Sequence, residues 1–186
     1  MFQVEQLVEE CRAGMRETRP EAAVREIVER AMARPEEVER VLGTPTLGQI
    51  TTLHHSPELT MLHVIWAPGM AIYPHDHRMW AVIGLYGGRE DNVFYRRTAR
   101  GLEAAGGKPI EAGGVALLGA SIIHAVTNPL RQFTGAIHVY GGDFFGTARS
   151  EWDPATLEER PYDVARARQV FKDANDRWLA EARSPA

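Results

Sequence analysis

Cysteine is nearly absent from this chain, which holds a single one, Cys11, in 186 residues. One thiol excludes an intramolecular disulfide framework and fits a reducing compartment. Cys11 shares a helical phase with Val4, Leu7, Val8 and Met15, so it reads as a buried helix-face thiol and not as a nucleophile. Long apolar runs are lacking too, and nothing approaches the ~20 residues that cross a bilayer as a helix. The opening segment, MFQVEQLVEECR, carries acids where a secretory signal needs a basic start and an apolar stretch. There is no excess of positive charge either. Twenty-one Lys and Arg face 25 Asp and Glu, for a net charge of −4, and Arg96, Arg97 and Arg100 make only a short spot of the kind a solvated strand end has. The chain is therefore expected to be soluble and cytoplasmic, with no nucleic-acid or membrane partner.

What is present divides by residue pattern into three stretches of one domain. Residues 1–44 read as a helical extension. Thr18 to Glu21 has the spacing of a capping box, with Pro20 in the first turn, and Val24, Ile27, Val28, Ala31 and Met32 follow on one helical face. A short helix is expected after Pro35, ending near Gly43. Residues 45–147 change character: TMLHVIW, MWAVIGLY, NVFYRR, GGVALL, HAVTN and GAIHVY are short apolar or alternating runs separated by Gly, Pro and Asn. That spacing predicts an all-β sandwich or barrel. Residues 148–186 continue a loop-rich interval (141–162) with one short helical possibility. A terminal amphipathic helix marked by Ala167, Val170, Phe171, Ala174 and Trp178 follows, expected on the outside of the barrel.

Five of the seven histidines fall in the β-like segments. His75 and His77 are two apart, so in a strand both imidazoles point to one face and can reach one ion. The same phase continues through Met79, Ala81, Ile83 and Leu85, an apolar wall ending at the Gly87–Gly88 turn. A second strand–turn–strand unit, outlined by Gly113, Gly119, Ser121 and Asn128, carries His124. A third ligand from a distant strand would complete a facial site with open positions. His54 and His55 are adjacent, so at most one can face that site. His63 alternates with Met61 and Ile65 and reads as a core histidine; Arg78 falls in the phase opposite to His77. Arg89 and Glu90 follow the glycine turn, where a solvated turn or an ion pair is expected.

These segments resemble the cupin superfamily. Gly69-x5-His75-x-His77-x3-Ala81-x6-Gly88 is similar to the first cupin motif except that alanine stands at its glutamate, and Gly113-x5-Gly119-x-Ser121-x2-His124-x3-Asn128 is similar to the second with Pro and Gly replaced. The resemblance spans roughly residues 60 to 140 and implies an all-β double-stranded β-helix, or jelly-roll barrel, with N-terminal helices and a C-terminal helix. It also implies that His75, His77 and His124 bind metal. With Ala81 at the carboxylate position the site is all-imidazole, which leaves the metal's charge uncompensated and favours an anionic ligand. Among cupins this resembles the thiol dioxygenases, the group that includes cysteine dioxygenase. Ala136-x-His138-x-Tyr140 is similar to their Ser-x-His-x-Tyr strand with alanine for serine.

The resemblance implies iron(II) as cofactor and oxidation of a small thiol to a sulfinate by dioxygen, with Tyr140, hydrogen-bonded to His138, orienting oxygen or substrate. Imidazole donors alone leave zinc, nickel, copper and manganese open. Without the resemblance, His138 is equally a satisfied core histidine and Tyr140 a barrel-end aromatic. The arginine that cysteine dioxygenase places before its first motif has no counterpart in ITTLHHSPELTMLHVIW, and no residue obviously replaces it. The same site could serve another small metabolite, in a β-diketone-type dioxygenase or an isomerase, or hold metal without turnover. Cupins often pair through their strands, so the resemblance leaves a homodimer open.

Overall fold

In the computed structural model, residues 1–183 are described; the last three residues of the 148–186 stretch lie outside the described residues. Three helices come first, α1 (Val4–Gly14), α2 (Pro20–Met32) and α3 (Pro35–Leu42). Eleven strands follow: β1 (Gln49–His55), β2 (Thr60–Trp66), β3 (Ala71–Asp76), β4 (Ala81–Gly87), β5 (Arg89–Thr98), β6 (Gly101–Glu111), β7 (Val115–Leu118), β8 (Ile123–Thr127), β9 (Thr134–Tyr140), β10 (Ser150–Trp152) and β11 (Glu159–Pro161). The chain ends in α4 (Val164–Arg183).

The strands form two antiparallel sheets in the orders β1-β2-β9-β4-β7 and β11-β10-β3-β8-β5-β6. From β2 to β9 the chain crosses between sheets so that β2-β9-β4-β7 faces β3-β8-β5-β6, the arrangement of two Greek keys rolled into a jelly roll. The fold is the double-stranded β-helix of the cupin type.

Alternation along the strands sorts the apolar residues into two layers. Leu62, Val64, Trp66, Ala81, Ile83 and Leu85 point into the barrel, while Met61, Ile65, Val82, Ile137 and Val139 point outward under the N-terminal helices. A sheet covered on both faces reads as a continuous apolar run, and β2, β4 and β9 do. Close approach of α2 depends on Gly84, where a Cβ would come within 2.5 Å of Val28 and 2.8 Å of Met32. Cys11 is fully buried in this outer layer, and burial pushes its thiol up to about 12.

Three local expectations change, and one strand, β6, lies outside the runs read from the sequence. Arg19, not Thr18, is the N-cap of α2, with no side-chain cap bond, and Glu21 pairs with Arg19 instead. Pro20 at the first helical position is enough to start the helix. β6 carries glycines and Pro109 yet pairs along its length with β5, as a sheet-edge strand tolerates. The short helical possibility between 141 and 162 is the β10–β11 hairpin, which extends the second sheet beside β3. Last, α4 does more than cover the barrel's outside. Asn175 binds both backbone groups of Gly48 (2.7 and 2.9 Å), and Phe171 stacks on Trp66 at 5.6 Å, closing one end of the barrel.

Candidate metal centre

The antiparallel pairing of β3 with β8 sets His75 directly opposite His124. His77 lies two residues on, just past the end of β3, and points the same way. The three imidazoles are buried, and one nitrogen from each lies within 4.8 Å of the others. Nε2 of His77 is 3.2 Å from Nε2 of His75 and 3.4 Å from Nε2 of His124. No carboxylate belongs to this group among the described residues. Ala81, at the position where the cupin motif has glutamate, is a wholly buried part of the barrel wall.

The donor pattern fits a cation. His75 Nδ1 lies 2.9 Å from the Tyr73 carbonyl, and His124 Nδ1 lies 2.6 Å from Asn92 Oδ1, so each carries its proton on Nδ1. Their Nε2 lone pairs then face one another. Burial pushes His75 down to about 4, and burial with the neighbouring imidazoles holds His77 and His124 well below the ordinary histidine range, so all three are neutral near pH 7. Lone pairs converging in a dry space repel unless a cation lies between them. Nitrogens ~2.1 Å from one ion are about 3.0 Å apart at a right angle and about 3.4 Å apart at a tetrahedral one. The two separations from His77 Nε2 fall in that span.

His138 and Tyr140 lie on β9, in register with Ile83 and Ala81 of β4. His138 Nδ1 is 3.0 Å from the Tyr140 hydroxyl, and the Tyr140 ring meets His77 edge-on at 5.0 Å. Burial raises the Tyr140 hydroxyl far above its ordinary range, so it is a neutral phenol. All five predicted site residues line one cavity of about 40 Å³, walled also by Leu62, Val64 and Phe144.

The remaining histidines lie elsewhere. His54 lies near Arg12 and Glu9 of α1, while His55 pairs with Asp143 at 2.8 Å, and neither lines the inner cavity. His63 points to the helix side and binds the Tyr86 hydroxyl at 2.7 Å, a core histidine. Arg78 points away, binding Asp76 (3.3 Å) and Ser150 (2.9 Å).

Two groups near the centre escaped the sequence. Glu90 is no solvated turn residue: it is wholly buried, accepting from Trp66 Nε1 at 2.9 Å and Asn92 Nδ2 at 3.0 Å, with His138 Nε2 at 3.5 Å. Burial opposes its ionisation, but hydrogen bonds from His138, Asn92 and Trp66 outweigh that and hold it below the usual carboxylate range. Only its neighbour Arg89 behaves as expected, pairing with Asp91. The spacing Glu90-x-Asn92 put both on one strand face, which was the available signal.

Arg149, between β9 and β10, is the second. It is only 9% exposed, has Nη1 without a hydrogen-bond partner, and meets no carboxylate among the described residues. Its guanidinium is held between two rings, 3.7 Å from Phe144 and 4.1 Å from Tyr162. Phe144 packs on Tyr140 at 4.3 Å, and Tyr162 lies 6.0 Å from His75. Arg149 also lines a second cavity of about 330 Å³ that shares Ile50, Phe144, Tyr162 and Phe171 with the inner one. Nothing in the local sequence marks Arg149, because the loop's path over the barrel mouth is a tertiary property.

No family model matches the chain. Solved structures similar to it include an RmlC-like cupin family protein with a double-stranded β-helix fold from Methanocaldococcus jannaschii, at TM-score 0.46 and 9% identity over 54% of this chain and 84% of that one. Protein BH2720 from Bacillus halodurans gives TM-score 0.48 and 14% identity over 58% and 76% of the two chains. A cupin 2 conserved barrel domain protein from Leptotrichia buccalis gives 0.44 and 18% over 55% and 45%. The likeness is one of fold. Among the described residues no helix is long and apolar enough to cross a membrane.

Proposed function

We propose that the protein is a mononuclear non-haem iron(II) dioxygenase that oxidises a small thiol bearing a second, anionic group to its sulfinate. The observation that carries this reading is the buried Arg149, without an ion-pair partner among the described residues, near a cluster of three neutral imidazoles. A divalent ion on neutral ligands keeps its full charge, and Arg149 adds another, so the pocket favours a dianion such as a carboxylate-bearing thiolate.

In this reading His75, His77 and His124 hold the ion. Bound ferrous iron would supply the redox chemistry that a thiol and dioxygen lack between themselves. The reaction places both oxygen atoms on sulfur; sulfur loses four electrons and dioxygen gains four, so no further reductant is needed.

The chain's own groups bind, orient and exclude water. Arg149 holds the anionic end of the substrate with its guanidinium fork. Phe144, Tyr162 and Phe171, shared by both cavities, keep the inner one dry. Inner space of about 40 Å³ suits a sulfur atom and a diatomic partner, with the rest of the substrate in the outer cavity. Tyr140 and His138 sit at the inner wall, placed to exchange a proton with the thiol. The partners are thus a small molecule and dioxygen.

The test is anaerobic reconstitution with iron(II), then an oxygen-electrode screen of cysteine, cysteamine, 3-mercaptopropionate and mercaptosuccinate. The expected result is dioxygen uptake equimolar with thiol and a sulfinate product, with the carboxylate-bearing thiols preferred. Uptake with an enolisable dicarbonyl and none with any thiol refutes the substrate while leaving the metal site standing.

A further inference from the structure

One carboxylate touches both arms of the site. Glu90 Oε1 accepts from Asn92 Nδ2 at 3.0 Å, and Asn92 Oδ1 lies 2.6 Å from His124 Nδ1. Glu90 Oε2 accepts from Trp66 Nε1 at 2.9 Å and faces His138 Nε2 at 3.5 Å, while His138 Nδ1 lies 3.0 Å from the Tyr140 hydroxyl. Glu90, Asn92, His124 and His138 are all at least 96% buried, so no bulk water competes for these groups.

Donor and acceptor rules then fix every member in turn. A carboxylate only accepts, so Asn92 must turn its NH2 to Glu90 and its oxygen to His124. That oxygen accepts, so His124 carries its proton on Nδ1 and offers the Nε2 lone pair to the cluster. On the other arm His138 Nε2 has no hydrogen-bond partner among the described residues and faces Glu90 Oε2 at 3.5 Å. A lone pair there would face the carboxylate's lone pairs, so a proton sits on Nε2, and with one proton on the ring Nδ1 accepts from the Tyr140 hydroxyl. Tyr140 thereby shows its own lone pairs to the cavity.

We propose that Glu90 is a positioning residue that sets the His124 tautomer through Asn92 and the His138 tautomer directly, so that one carboxylate prepares both the metal ligand and the Tyr140 arm. The proposal rests on His75, His77 and His124 holding a divalent metal, and not on the substrate being a thiol. It assigns Glu90 no contact with substrate or metal.

Glutamine has nearly the shape of glutamate but brings one acceptor and one donor. In Glu90→Gln the oxygen stays with the Trp66 N–H, and the NH2 meets Asn92, which must turn over and present its own NH2 to His124. The His124 tautomer is then wrong for a ligand. Moving the carboxylate one step along the relay repairs this. In the double variant Glu90→Gln/Asn92→Asp, the carboxylate now at position 92 accepts both from the side-chain amide at position 90 and from His124 Nδ1–H.

The experiment is a competitive chelator titration of zinc(II) with the full-length protein. Glu90→Gln is expected to weaken zinc affinity about 10- to 100-fold, and the double variant to restore it to within a few-fold of wild type. A residue with a merely structural role would not be rescued by a second substitution that keeps the defect at position 90. Wild-type affinity in Glu90→Gln, or a double variant no better than the single one, overturns the proposal. If Glu90→Gln does not fold, nitrogen-15 NMR of the metal-free wild type decides: Nδ1–H on His124 and Nε2–H on His138 support it, and the opposite tautomer at either overturns it. Failure of wild-type protein to bind zinc at all refutes the metal reading instead, and is told apart by that.

Discussion

Replacing Arg149 by methionine separates binding from packing. Arg149 is 9% exposed, its Nη1 has no hydrogen-bond partner among the described residues, and its guanidinium is flanked by Phe144 at 3.7 Å and Tyr162 at 4.1 Å. Two desolvated cation–π contacts stabilise it by about 1–2 kcal/mol each. Burying the charge without a counter-charge costs several kcal/mol. These effects roughly cancel, and methionine fills much of the same space, so Arg149→Met should leave the melting temperature unchanged or raise it. Binding responds differently. A forked pair of charge-assisted hydrogen bonds to a carboxylate stabilises by about 3 kcal/mol, on the order of 100-fold in KM. Arg149→Lys keeps the charge and loses the fork, so its effect should fall in between. The assay is initial dioxygen uptake by iron-loaded protein with 3-mercaptopropionate and with 2-mercaptoethanol, which lacks the carboxylate. KM should rise for the first and barely move for the second. A KM unchanged for both, together with a melting temperature lowered by several degrees, would make Arg149 a packing residue and refute the anchor.

Other consequences are simpler. Asn92→Ala removes the acceptor 2.6 Å from His124 Nδ1 and should lower zinc affinity about 10- to 100-fold by chelator competition. Cys11 is wholly buried with its thiol pushed up to about 12, so Ellman's reagent should find no thiol in native protein and one in denaturant. Glu159 is brought down to about 2 by its hydrogen bonds to Arg97 and Ser150. A carboxyl depressed in the folded state adds stability above its unfolded pKa, lost as pH falls from about 4.5 to about 2. The half-exposed Arg97–Glu159 pair makes that contribution small and salt-sensitive, and Glu159→Gln should flatten that part of a melting-temperature profile. Gly84→Val forces a side chain into Val28 and Met32 and should cost more than ~2 kcal/mol in urea unfolding.

The sequence carried the barrel because alternation and turn residues are local. Runs such as TMLHVIW and GAIHVY recur at strand spacing, and the phase from His75 through Leu85 marked one wall correctly. The shared face of His75 and His77 was legible for the same reason, since i, i+2 spacing in a strand places side chains on one face, while His124 joined them through the resemblance of its segment to the second cupin motif. What was missed is nonlocal. Glu90 looked solvent-exposed beside a glycine turn, and only its phase with Asn92, continued across β5 onto the inner face, separates a buried carboxylate from a surface one. Arg149 lay in a stretch without periodicity, and Phe144 and Tyr162, which bracket it, are eighteen residues apart in sequence. The β10–β11 hairpin that brings them together has three-residue strands, too short for a period to register.

Everything proposed for the site depends on His75, His77 and His124 holding one divalent transition metal. Elemental analysis of protein purified without chelator, wild type beside His124→Ala, tests this directly. The expected result is close to one transition-metal ion per chain in wild type and almost none in the variant. A wild-type protein without metal that takes up none on reconstitution, or a variant that keeps its full complement, would contradict it.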